Sequence, residues 1–193
     1  SWVDWSSAGE EEVALARFTR DLLALRRSLA MVRRGRFLTG QYDEELGVKD
    51  VAWLTPAGTE MGGEHWEDPA ARCFGVLLDG RAQETGIRRP GNDATLLLVL
   101  NAHDDVVRFT LPEGANGSSW IRLIDTNLPE SPDMPAFAFG RDYEVTGRSL
   151  LLFMLEPNGD SSEEAVRSFH HVLRILADAR EAAFPLQAGG AAG

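Results

Sequence analysis

The sequence predicts a mainly β fold: an antiparallel β-sandwich with one α-helix before it and one after it. Three observations carry this. Apolar residues recur at three- and four-residue steps only near the two ends, in Leu15, Phe18, Leu22, Leu25 and Leu29 and again in Val166, Phe169, Leu173 and Leu176. Between them the apolar residues come in short runs of strand length, separated by Gly, Pro, Asn and Asp. No helix-period segment interrupts those runs, and strands joined by turns alone form antiparallel sheets rather than parallel βαβ units. The expected organisation is a helical segment over 1–40, the sandwich over 41–157, a C-terminal helix over 158–186 and a disordered Ala/Gly tail over 187–193.

Local chemistry predicts each element. Ser6 or Ser7 can cap the first helix, and Glu10, Glu11 and Glu12 stand where its dipole favours carboxylates. Arg17, Arg20, Arg26 and Arg27 occupy other faces. Arg33, Arg34 and Arg36 make a basic knot around Gly35, read as dipole compensation rather than anion binding. Val48 to Leu54 reads as a strand, Thr55-Pro56-Ala57-Gly58 as a turn, and Met61 to Pro69 as an irregular loop carrying Trp66. Arg72 to Leu78 and Thr95 to Asn101 are apolar strands, joined by a connection from Asp79 to Asp93 expected to be long and mobile. Asn101 to Asp105 reads as a tight turn into Val106 to Leu111, predicting a hairpin of those two strands. Ser119 to Ile124 is a further strand, followed by a Pro-studded loop from Leu128 to Pro135. Tyr143-Glu144-Val145 turns at Gly147 into Ser149 to Leu155. Leu96 to Leu100 and Leu150 to Phe153 are continuous apolar runs, so both faces of their sheet must be covered. The first helix or an absent domain is the expected outer cover. Ser161 or Ser162 caps the last helix, which runs to about Ala183.

The totals narrow the function. The chain has 193 residues, 44% hydrophobic and 25% charged, which suits one compact domain with a real core. Thirty acidic residues against 19 basic ones give a net charge of −11, a surface that repels phosphate backbones and anionic lipid. Neither nucleic acid nor a membrane is therefore an expected partner, and a neutral sugar is compatible. No apolar stretch approaches the roughly 20 residues of a membrane helix, and no signal peptide is readable, so a cytoplasmic setting is expected. The lone Cys73 sits in an apolar run and reads as a small core hydrophobe. Trp2 and Trp5 near the first residue would be an exposed apolar liability at a natural end, so the chain reads as starting inside a larger protein.

No catalytic constellation is legible. A G-x-S-x-G elbow is absent, and the glycines form neither a dinucleotide nor a P-loop pattern, so no cofactor is expected. His170 and His171 point apart on a helix, while His65 and His103 lack a second ligand at a recognisable spacing, so no metal is expected. Asp4, Asp50, Glu60, Glu64, Asp68 and Asp125 are candidate carboxylates, yet nothing in their spacing separates a glycosidase pair from turn and cap residues. Five tryptophans are many for this length, and Trp faces stack on sugar rings. Trp53 and Trp120, in strands, read as core filling or interdomain packing. Trp66, in its loop, and Trp5 are the candidate glucan-contacting residues.

Three stretches then resemble the C-terminal part of bacterial glycogen-debranching enzymes of the isoamylase type, in the α-amylase superfamily. One is Ser1-Trp2-Val3-Asp4-Trp5 with the helix containing Phe18-Thr19-Arg20 and Leu25-Arg26-Arg27. Another, the most specific, is Asp50 to Met61 with Trp66 and Ala71 to Gly80. The third comprises Leu97 to His103, Phe109 to Pro112, Trp120, Asp125-Thr126 and Tyr143 to Leu152. The family's usual M-T-x-x-D-W has Gly62 for Thr and His65 for Asp here. The resemblance runs from Ser1 to about Leu155. It implies that the first helix is left over from a catalytic (β/α)8 barrel and that the sandwich is the family's terminal domain. It also implies a parent that hydrolyses α-1,6 branch linkages in glycogen-like glucans with retention, through an Asp nucleophile, a Glu acid/base and a stabilising Asp. All three would precede Ser1, so no catalytic residue is carried to this chain and the piece alone is expected to be inactive. Its implied partners are α-glucan, through the parent enzyme, and the missing barrel. The last helix, whose stripe needs a cover, is an expected oligomer or partner contact.

Overall fold

The computed structural model describes residues 9–33, 37–45, 47–82, 84–85, 89–90, 94–129 and 131–182. Helix α1, Glu10–Ser28, opens behind Gly9, whose carbonyl accepts from the Val13 N–H at 3.1 Å. Glu10 to Glu12 in its first turn and Arg26 and Arg27 in its last complement its dipole. The expected caps Ser6 and Ser7 lie outside the described residues, as do Arg34 to Arg36 of the basic knot and the whole 187–193 tail. A 3-10 turn, Ala30–Arg33, leads from α1 toward the strands.

The strands are β1 (Tyr42–Asp43), β2 (Val48–Lys49), β3 (Val51–Leu54), β4 (Cys73–Leu78), β5 (Glu84–Thr85), β6 (Arg89–Pro90), β7 (Leu96–Asn101), β8 (Val107–Thr110), β9 (Gly117–Asp125), β10 (Ala136–Phe137), β11 (Asp142–Val145) and β12 (Ser149–Pro157). A short helix α2, Gly63–Glu67, follows β3, and α3, Glu163–Glu181, closes the chain's described part. One six-stranded antiparallel sheet, in the order β10-β9-β12-β7-β4-β3, forms the centre. A β8–β11 ribbon covers one face and α1 with α3 covers part of the other. The mainly β, antiparallel fold with a helix at each end is thus the one the sequence predicts.

The expected hairpin between Thr95–Asn101 and Val106–Leu111 does not form. β7 pairs with β4 and β12, whereas β8 pairs with β11 in the other layer. Asn101 is the reason the turn misleads. Buried at 2% exposure, it donates from Nδ2 to the carbonyls of Asp105, Val145 and Thr146, and its Oδ1 accepts from His103 N. Both places where the chain changes layer, after β7 and before β12, are held at this one amide. Gly147 completes the corner, because a Cβ there would lie 2.4 Å from the Asp104 carbonyl.

The continuous apolar runs divide their residues between two cores, as the pleat requires. Leu97, Val99, Leu151 and Phe153 join Phe109, Leu111, Trp120 and Val145 under the ribbon. Leu96 and Met154 join Ile121, Leu123 and Ile124 under the helices, with Leu98 and Leu152 packed against them. The outer cover is therefore α1 together with α3. Helix α3 is capped by Ser162, whose Oγ accepts from Ala165 N, and buries Phe169, Val172 and Leu176. Val172 replaces Val166 of the expected stripe, and the strands and α1 supply the cover.

Helix α1 also departs from its expected stripe. Leu25 and Leu29 are buried, but Leu15 is 66% and Leu22 41% exposed. Val13 and Asp21 are buried instead, and Asp21 faces Arg180 of α3 at 3.6 Å. In the connection expected to be mobile, Asp79 is buried and holds Arg81 through both carboxylate oxygens; residues 83, 86–88 and 91–93 lie outside the description.

Candidate functional site

Trp66 and Trp53 meet at the free side of β3, where local chemistry brings them together. After β3 the chain turns through Thr55-Pro56-Ala57-Gly58, with Thr110 N donating to Pro56 O at 2.8 Å. Gly58 has φ 75°, and a Cβ there would stand 2.6 Å from the Thr110 carbonyl, so the close approach to β8 needs glycine. The chain then returns along β3: Glu60 bridges Leu54 and Met61 N donates to Trp53 O at 2.8 Å. This return covers the edge of the sheet and starts α2 beside Trp53.

Helix α2 is begun by His65. Its Nδ1 accepts from Gly62 N at 2.9 Å, so the histidine itself provides the capping acceptor. That places Trp66, 55% exposed, edge-on against Trp53, with ring centroids 5.4 Å apart at 73°. Phe74 of β4 also lies against Trp53, with ring centroids 5.7 Å apart at 49°. Sheet register extends the patch. Trp53 pairs with Val76, Val76 with Leu98 and Leu98 with Leu152, so these share one face. The next row on that face is Phe74, Leu100 and Leu150. Leu98 and Leu152 reach the helix-covered core, while Phe74, Val76, Leu100 and Leu150 are half-buried and belong to neither core. One end of the helix-side face is therefore roofed by α1 and α3, and the other is an open terrace of aromatic and aliphatic side chains.

Of core filling and interdomain packing, the readings given for the strand tryptophans, core filling fails for Trp53, which is 39% exposed because it occupies the edge strand beyond the reach of the helices. Trp120 is core, at 0% exposure, with Nε1 donating to Pro112 O at 2.8 Å. Trp5, the other candidate, lies outside the described residues. Phase along β3 was the available signal for Trp53, since Leu54 next to it faces the ribbon core and neighbours on a strand face opposite ways.

Of the carboxylate candidates, Glu64 is exposed in the first turn of α2, and Asp50, Glu60, Asp68 and Asp125 bond within the chain. Asp50 accepts from the Thr39 and Gly40 amides, Glu60 pairs with Lys49, and Asp68 accepts from Ala70 N. Asp4 lies outside the described residues. Asp125 accepts from the Tyr143 hydroxyl at 3.0 Å, and that hydroxyl accepts from Arg122 at 2.7 Å. Burial pushes the Tyr143 phenol up, with Asp125 adding to the shift and Arg122 opposing it. Burial also raises the Cys73 thiol to about 11, which makes it a core side chain and a poor nucleophile. His170 bonds the Val166 carbonyl and His171 faces Arg174. Among the described residues no three His, Cys, Asp or Glu side chains gather as a metal ion would need. No helix among them is long and apolar enough to cross a membrane.

A family model described as "Isoamylase, C-terminal" matches residues 50–154, more than half of the chain. This chain belongs to the isoamylase C-terminal family. The match opens at β3 and ends within β12, so the isoamylase C-terminal unit comprises the central sheet and its ribbon, with α1 and α3 outside it. Relatives agree. The "Glycogen operon protein GlgX homolog" of Mycobacterium tuberculosis is 37% identical over 159 residues, covering 79% of this chain and 21% of that protein. The "Glycogen debranching enzyme" of Dickeya chrysanthemi is 32% identical over 114 residues, 59% of this chain and 14% of its own length. "Isoamylase 2, chloroplastic" of Oryza sativa is 26% identical over 111 residues, 58% of this chain and 13% of its own. The isoamylase-type unit described here thus spans about a fifth or less of each curated relative.

Proposed function

We propose that this chain is the C-terminal part of a cytoplasmic debranching enzyme that hydrolyses α-1,6-glucosidic branches in glycogen-like glucans, and that it supports the catalytic barrel without supplying catalytic carboxylates. The observation that carries the supporting role is the half-roofed sheet face. Trp53, Trp66, Phe74, Val76, Leu100 and Leu150 form an apolar surface larger than a lone exposed side chain, and such patches mark protein contacts. The branched aliphatics at its centre suit a packed protein surface better than a sugar, which needs hydrogen-bonding groups beside its stacking ring. Leu15, Leu22 and Leu23, exposed on the outer side of α1, give a preceding barrel a second apolar contact. The 193-residue chain incubated with limit dextrin should release no linear chains, and measurable turnover by it would refute the reading.

A second reading assigns Trp66 to glucan, because it is the most exposed described tryptophan and stands on a helix with Glu64 and Glu67. Affinity electrophoresis in glycogen-containing gels tests it: retardation that Trp66→Ala removes supports glucan contact, and no retardation rejects it. The apolar patch and the last helix, whose own stripe is covered within the chain, leave any oligomer contact through α3 to its outer face.

A further inference from the structure

The helix that closes the apolar core lies outside the family match, and it packs beside α1 over the same face of the sheet. Ile121, Leu123, Ile124 and Met154, all within residues 50–154, are buried in one cluster with Phe169, Val172 and Leu176 of α3 and with Leu25, Leu29 and Met31. Helix α1 packs chiefly on α3 and on the 3-10 turn that follows α1. It also reaches the sheet-side core through Leu25 and Phe18.

The polar contacts converge on one residue. Arg180 donates from Nη2 to the Leu123 carbonyl of β9 at 2.7 Å and from Nη1 to the Pro132 carbonyl at 3.1 Å, while its Nε lies 3.6 Å from Asp21 Oδ2 of α1. One guanidinium thus holds a helix, a strand and a loop, using the planar fork that a lysine lacks. The bond is returned from the other side, where Arg20 Nη1 of α1 donates to the Ala182 carbonyl at the C-terminal cap of α3 at 2.8 Å. Asp21 is 6% exposed and its other oxygen lies 3.4 Å from Arg20 Nε, so losing Arg180 would strip a buried carboxylate of its cross-helix partner and leave it only the pairing with its own neighbour. Burial lowers the Arg180 pKa and Asp21 opposes that shift, as expected for a desolvated cation held by its partner.

We propose that α3 is a clamp that sets the pose of α1 on the sandwich, with Arg180 as its positioning residue. The clamp goes beyond the debranching reading and does not depend on it, since every contact lies within the described chain. Its effect is to hold α1 at a fixed angle to the sheet.

Hydrogen exchange of the full 193-residue chain, read by mass spectrometry, tests this. In Arg180→Ala the amides of residues 10–28 should exchange at least about tenfold faster while β7 and β12 keep their protection. Arg180→Lys should fall between the two, because one ammonium cannot span all three acceptors. Asp21→Asn keeps the size of the buried side chain and should loosen α1 in the same direction. Combined with Arg180→Ala, it should add little to the effect of Arg180→Ala alone. Unchanged exchange of α1 in both single variants would overturn the clamp. So would parallel loosening of α1 and the sheet, or fully additive effects of the two substitutions.

Discussion

Asn101 Nδ2 donates to the Val145 carbonyl at 3.0 Å, and so ties together the two corners where the chain passes between its layers. The same amide also serves Asp105 and Thr146. Replacing it with Leu or Ala leaves three carbonyls without this donor in a nearly dry corner. Asn101→Ala should cost about 2–3 kcal/mol of stability. Urea unfolding checks it: the midpoint should fall with an unchanged slope, and a shift too small to measure would contradict the assigned role.

The tryptophans should separate sharply by position. Trp120→Ala empties the centre of the ribbon-side core and should cost about 3–5 kcal/mol. Trp66→Ala removes a half-exposed ring and should stay within about 1 kcal/mol of the parent in the same unfolding experiment. A large loss from Trp66→Ala would mean that the terrace is already fully packed within this chain.

Gly58→Ala introduces a Cβ at φ 75°, 2.6 Å from the Thr110 carbonyl. The turn must open, and it is the link between β3 and β8. A loss of about 1–3 kcal/mol is expected, seen as a lower thermal midpoint. Gly140→Ala is the matched control, since it shares a left-handed φ of 71° and meets nothing within 4 Å. Its cost should be smaller by the share due to the clash.

Cys73 should resist thiol reagents at pH 8 in the folded chain and react once the chain is unfolded. Burial raises its folded pKa from 9.0 to about 11, so the unfolded thiol ionises first as pH rises. The resulting stability is full below pH 9 and is lost as pH climbs through about 11. The raised Tyr143 phenol acts in the same direction. Cys73→Ala should flatten the fall of stability between pH 9 and about 11, measured by unfolding midpoints across that range. An equal slope in both proteins would place the alkaline loss elsewhere.

Much of the architecture could be read before folding. Turn residues marked the ends of β3, β7 and β12, and the period change near Gly40 and Pro157 separated helices from sheet. The kinship was legible in the run from Asp50 to Met61, which lies within the family match. Pairing was not. The Asn101 to Asp105 turn has hairpin chemistry, yet a buried amide with partners 44 and 45 residues away redirects it into another layer. The candidate site was half legible: Trp66 was marked by its loop, while Trp53 stayed between core filling and interdomain packing, because a strand residue's exposure depends on what covers its face.

What the sequence determined by itself was local and periodic: which segments are strands and helices, where they stop, and which apolar residues alternate. Those properties depend on neighbours a few positions apart. Tertiary structure alone decided which face each helix turned inward and which part of the sheet stayed bare. Asp21 is polar at the very position that α1 buries, and its pairing with the adjacent Arg20 and with Arg180, 159 positions later, makes that burial tolerable. Likewise Trp53 is open because α1 and α3 end their cover short of β3, a limit set by how far two packed helices reach across six strands.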